Sequence, residues 1–195
     1  EIGLLDRIGY VSAVSGGAWA ATAHTYYAGS GQTNEEILGP VARPEELDAV
    51  ALRRLPDSEL GIAATYDFRR TLMSLHQSPA LAADRIWTQA VGETFLAPFG
   101  LFEADRPHAF TLDSASEEEI RRRNPAIGPF HQVRNGAKAP YLITHATLNW
   151  PSDSDGGAWK VGFEYSPLYC GSPVLHHLES NGQSVSVGGG LVENC

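Results

Sequence analysis

The apolar positions in the first thirty residues change period once. Arg7-Ile8-Gly9-Tyr10-Val11-Ser12-Ala13-Val14 is short, β-branched and aromatic, and reads as a strand. Gly17 to Tyr27 is Ala-rich and ends before Gly29, as a helix does. Strand, sharp turn, helix is the prediction. From 34 to 60 the chain is acidic and punctuated by Pro40, Pro44 and Pro56, which predicts short helices, the first capped by Asn34 ahead of Glu35-Glu36. Residues 59 to 99 carry two helical stripes, one through Tyr66, Phe68, Leu72 and Leu75, the other through Leu81, Ile86, Val91 and Phe95, parted at Ser78-Pro79. Both stripes are expected to pack on a sheet. Residues 113 to 129 form a charged face, Glu117-Glu118-Glu119 before Arg121-Arg122-Arg123, and read as a solvated helix and loop. After Pro140 the pattern alternates: Tyr141 to Trp150 and Trp159 to Tyr165 flank Ser152-Asp153-Ser154-Asp155-Gly156-Gly157, which predicts a β-hairpin with a long loop. No internal repeat or low-complexity tract interrupts this order, and helices lying between the first and last strands make the fold class α/β.

Composition narrows the partners. Fourteen Lys and Arg against 23 Asp and Glu leave a net charge of −9 over 195 residues, and no basic stripe exceeds Arg121-Arg122-Arg123, so a nucleic-acid partner is not expected. No run of about 18 apolar residues is present, so no transmembrane helix is expected. Cys170 and Cys195 make neither a disulfide framework nor a metal-ligand spacing. Metal and cofactor are both expected to be absent. The chain starts at Glu1 without Met or signal features and stops just after a glycine run, so it reads as a domain cut at both ends.

The sharpest chemistry lies at the first turn. Ala13-Val14-Ser15-Gly16-Gly17 matches the nucleophile elbow G-x-S-x-G, with Ala in place of the first glycine. A serine on a tight strand-to-helix turn needs small neighbours, and the helix start that follows offers N–H groups and a positive dipole end to an oxyanion. Ser15 is the candidate nucleophile, with Gly16 and Gly17 as oxyanion and elbow residues. An ordinary Ser-Gly-Gly turn is the competing reading.

The segment Gly9-Tyr10-Val11-Ser12-Ala13-Val14-Ser15-Gly16-Gly17-Ala18-Trp19 resembles the nucleophile segment of patatin-like phospholipases, nearest the branch of cytosolic-type phospholipase A and phospholipase B (lysophospholipase) catalytic domains. Phe163-Glu164-Tyr165-Ser166-Pro167, running on to Cys170-Gly171-Ser172, is similar to a second segment of that branch. Pro140-Tyr141-Leu142-Ile143 through Ala146-Thr147-Leu148-Asn149 is similar to the strand before it. Residues 34 to 130 have no counterpart and are taken as a helical insertion. The resemblance implies one incomplete patatin-like domain over 1–195, a three-layer α/β sandwich around a mostly parallel sheet. It also implies a Ser-Asp dyad that hydrolyses fatty-acyl esters of phospholipids or lysophospholipids through an acyl-enzyme. With it come peripheral membrane contact and a cytoplasmic or membrane-surface location rather than secretion. The family's glycine-rich oxyanion loop would precede Glu1.

Two positions compete for the dyad aspartate. Asp155-Gly156-Gly157 supplies the letters, whereas Ser186-Val187-Gly188-Gly189-Gly190 supplies the family context with Gly188 where the carboxylate belongs. Context favours Gly188, and a chain lacking that carboxylate would be impaired. A rival reading is a Ser-His-Asp esterase of the α/β-hydrolase class built from Ser15, Asp155 and His176 or His177, and another is a non-catalytic lipid-binding relative. His24, His76, His108, His131 and His145 read as ordinary histidines, and Phe95, Phe99, Phe102 and the four tryptophans as core.

Overall fold

The computed structural model describes residues 7–27, 37, 43–134, 140–151, 158–180 and 183–193. The chain is mixed α/β and divides into two compact units, Glu1–Ala21 with Thr111–Ala126 and Ala139–Cys195, and Thr22–Phe110 with Ile127–Lys138.

The first unit is built on a five-stranded sheet in the order β1-β4-β5-β6-β7. Strand β1 is Tyr10–Val14, β4 Tyr141–Pro151, β5 Ala158–Tyr165, β6 Tyr169–Ser180 and β7 Gln183–Glu193. β1 runs parallel to β4, with Tyr10 opposite Tyr141 and Val14 opposite His145. The other three pairings are antiparallel, so the expectation of a mostly parallel sheet is corrected. The cause is local: β4 to β7 follow one another with no room for crossover helices, and short connections join only antiparallel neighbours. The β4–β5 hairpin is the one predicted; its loop, 152–157, lies outside the described residues. The β6–β7 hairpin, in which Ser180 pairs with Gln183, is not among the predicted elements; residues 181 and 182 lie outside the described residues. The register slips between Ser172 and Leu175, where Pro173, which has no N–H to give a ladder, sits opposite the glycine run of β7.

Alternation along β1 sorts the two sheet faces. Ala13, Leu142 and Val161 share the buried side at 8%, 3% and 6% exposure, while Tyr10 and Val14 on the other side are 73% and 65% exposed. Beside the sheet in sequence, helix α6 (Ser114–Arg123) begins with a capping box in which Asp113 accepts from the Ser116 amide and Ser116 from the Asp113 amide. Those Ser116 hydrogen bonds hold the Asp113 carboxyl below its ordinary range. Glu117 and Glu119 pair with Arg121, Arg122 and Arg123 along its surface, the self-paired face that the charge pattern predicts.

The second unit is helical. Helix α1 (Gly16–Tyr26) enters it, and short helices follow at α2 (Ala49–Arg53), α3 (Glu59–Thr65), α4 (Phe68–His76) and α5 (Ile86–Val91). Asp48, Ser58 and Asp67 cap α2, α3 and α4 through side-chain oxygens. Asn34 falls outside the described residues. The predicted helix through Tyr66 is two, because Asp67 starts a new one. Past α5 the backbone widens to a π turn over Gly92–Leu96 and tightens over Ala97–Phe99, where Pro98 removes a donor. Within this unit the two apolar stripes pack on each other: Phe68 meets Trp87 and Phe95 at ring separations of 5.6 and 5.8 Å. Tyr27 meets Phe99 at 5.7 Å and donates to Glu59 Oε1. A two-stranded sheet, β2 (Ala109–Thr111) with β3 (Phe130–Gln132), completes it.

Two buried features carry predictions. At Gly61 a Cβ would lie 1.5 Å from the Leu55 carbonyl oxygen, so Gly61→Ala is expected to lower stability by about 1–3 kcal/mol in urea denaturation, with a smaller effect overturning the packing. His131 Nε2 lies 2.9 Å from His108 Nδ1, and burial, then the neighbouring His108, hold His131 below the usual histidine range against the pull of Glu103. The unfolded chain therefore takes up a proton near pH 6.5 that the folded chain refuses, and stability falls as pH drops from about 7 toward 5 until the lowered folded value is reached. Urea midpoints measured across that range in wild type and His131→Gln are expected to show a shallower slope in the variant.

Candidate active site

Strand β1 ends at Val14 and helix α1 begins at Gly16, so one residue makes the whole turn. That residue is Ser15, at φ 55°, the only non-glycine among the described residues with positive φ. A left-handed serine costs roughly 1–2 kcal/mol, and strain of this kind persists where the surrounding structure imposes it. The turn is closed by the Ala18 amide donating to the Ser15 carbonyl at 2.9 Å. Ser15, Gly16 and Gly17 are all exposed. A Cβ on Gly17 would meet nothing within 4 Å, and one on Gly16 only the Trp19 ring at 3.9 Å. Nothing among the described residues crowds these glycines, and their bare backbone stays open to an approaching ligand. The first amides of a helix lack intrahelical acceptors and form the positive end of its dipole, so the start of α1 can receive negative charge beside the Ser15 hydroxyl.

The dyad partner is not brought to the elbow by the described residues. Asp155 lies outside them. Gly188 is on β7, at the opposite edge of the sheet from β1, four strand spacings or about 19 Å across. The glycine run that holds the family-like aspartate position is strand opposite β6, with Gly188 paired with Leu175. His176 and His177 belong to β6, three spacings or about 14 Å from β1, which also separates the rival triad.

Sequence reasoning missed a different constellation. Ser12 Oγ lies 2.8 Å from His145 Nε2, and His145 Nδ1 lies 3.6 Å from Glu164 Oε1. The three come from β1, β4 and β5 and line up across the exposed sheet face, because His145 is the register partner of both Val14 and Glu164. The sequence pattern marks His145 as an ordinary histidine; the strand register sets it apart from the others.

In the second unit, Arg85, Glu103, Asp105, Arg106 and His108 line a cavity of about 440 Å³ with Phe102 and Phe110. His108 Nε2 is buried there without a hydrogen-bond partner among the described residues, and no Ser, Thr or Cys is among the described residues that line the cavity. Among the described residues no group of three His, Cys, Asp or Glu is arranged to hold a metal ion, and no helix is long and apolar enough to cross a membrane. Comparison with known proteins gives no match to any family model, curated protein or solved structure.

Proposed function

We propose that this chain is a patatin-like serine acyl hydrolase, acting on fatty-acyl esters of phospholipids or lysophospholipids, with Ser15 as nucleophile. The observation that carries the reading is the left-handed Ser15 between β1 and α1, the geometry that makes a serine hydroxyl protrude from a strand-to-helix turn. On this reading Ser15 Oγ attacks the ester carbonyl, the oxyanion is received by the amides of Gly16 and Gly17, and an acyl-enzyme forms and is hydrolysed. The proton acceptor is a carboxylate, for which Asp155 is the candidate. The three-layer patatin-like architecture belongs to the same proposal. Exposed Tyr10 and Val14 on the strand that leads into the elbow would offer apolar contact to an acyl chain.

The reading is tested with a lysophospholipid assay on wild type, Ser15→Ala, Ser15→Gly and Asp155→Asn. Both Ser15 variants are expected to lose hydrolysis by at least a hundredfold. Their stabilities should differ, Ser15→Gly gaining up to about 1 kcal/mol because glycine adopts positive φ without strain. Asp155→Asn is expected to lose a hundredfold or more. Hydrolysis unchanged in Ser15→Ala would overturn the assignment.

A further inference from the structure

Beyond the elbow, the face of the sheet carries a serine hydroxyl in hydrogen-bond contact with an imidazole. Ser12 Oγ to His145 Nε2 is 2.8 Å, within the range at which an imidazole takes a hydroxyl proton, and the far nitrogen of the ring lies 3.6 Å from the Glu164 carboxylate. Nucleophile, base and orienting carboxylate are the three roles required for an activated serine. All three remain accessible: Ser12 is exposed, and the His145 and Glu164 side chains keep 35% and 26% of their surface. Tyr10 and Val14, two positions either side of Ser12 on the same face, are 73% and 65% exposed and offer a flat apolar platform to an aryl or short acyl group.

We propose that Ser12, His145 and Glu164 form a second acyl-accepting site, with its own nucleophile and base but the same apolar neighbours as the elbow, at which activated carboxylic esters such as aryl acetates acylate Ser12. Ser12 Oγ bonds to the carbonyl carbon as its proton moves to His145 Nε2, and the aryl oxide leaves as the bond between it and the carbonyl carbon breaks. The imidazolium gives that proton up to the departing aryl oxide; water then attacks the acyl-serine carbonyl as His145 Nε2 takes a proton from it, and His145 returns the proton to Ser12 Oγ as the bond between Ser12 and the acyl carbon breaks, which releases acetic acid and free Ser12. Glu164 is a positioning residue: it holds the ring and offsets the charge of the imidazolium. Ser12 lies within the β1–β4 pairing, opposite Ile143, and not at a helix start, so it lacks the helix-amide oxyanion donors that stand beside Ser15. A missing oxyanion donor costs roughly a hundredfold to a thousandfold, which restricts the substrate class to esters with good leaving groups.

The experiment uses Ser15→Ala protein, in which the elbow is silent, treated with p-nitrophenyl acetate or a fluorophosphonate, and assigns the modified serine by peptide fragmentation. Slow labelling of Ser12 is expected. His145→Gln in that background should slow it about a hundredfold. Glu164→Gln should lower the maximal acylation rate several-fold while leaving the half-saturating ester concentration and the thermal midpoint unchanged, which a merely structural role would not do. Absence of label from Ser12, or a rate indifferent to His145→Gln, would overturn the proposal. Lysophospholipid hydrolysis reads the elbow separately, so failure of one site is not failure of the other.

Discussion

Five residues of β1 are paired in parallel with five of β4, and the geometry of the first unit follows from that contact. It carries the end of β1 into the sheet's first position, so that Val14 is held and the next residue must turn at once into α1. It also fixes the phase of the sheet: Ala13 and Leu142 go to the buried side, Tyr10, Ser12 and Val14 to the open one. A slip of one residue would exchange the two sets and bury Ser12 with Tyr10 and Val14. Because β4 also pairs with β5, one register decision sets both the elbow and the row from Ser12 through His145 to Glu164.

Strain and hydrogen bonding divide the two serines by kind. Ser15 is presented by backbone conformation, at a left-handed φ that any side chain but glycine's resists, and it stands beside helix amides. Ser12 is relaxed in a strand and is presented by its partners, an imidazole and, behind that, a carboxylate. An elbow supplies charge stabilisation before it supplies a base, whereas the sheet row supplies a base without charge stabilisation. Both needs bear on acyl transfer, and neither arrangement meets both among the described residues.

The second unit is held by aromatic contacts and by a buried imidazole pair. Tyr26 meets Phe110 at 4.9 Å and Phe110 meets His131 at 5.4 Å, so the two-stranded sheet is tied to α1 through rings of the same unit. A neutral His131 suits that setting, since charging an imidazole among aromatic rings costs its hydration. Leu101, 1% exposed, and Phe99, 3% exposed, close the core where the helix after α5 changes pitch.

The local elements are legible in the amino-acid pattern: the strand, turn and helix around Ser15, the charged helix over Ser114–Arg123 and the hairpin of β4 and β5 all follow from period, caps and turn residues, which act within a few positions. Asn181-Gly182 is a local hairpin signal of the same kind. What the sequence did not determine was strand order. Nothing local says that β1 pairs with β4 or that β7 closes the far edge, since that choice is made by long-range burial and not by propensity. Strand order therefore puts Gly188 on the sheet edge away from β1 and makes Ser12, His145 and Glu164, far apart in the chain, neighbours across three strands.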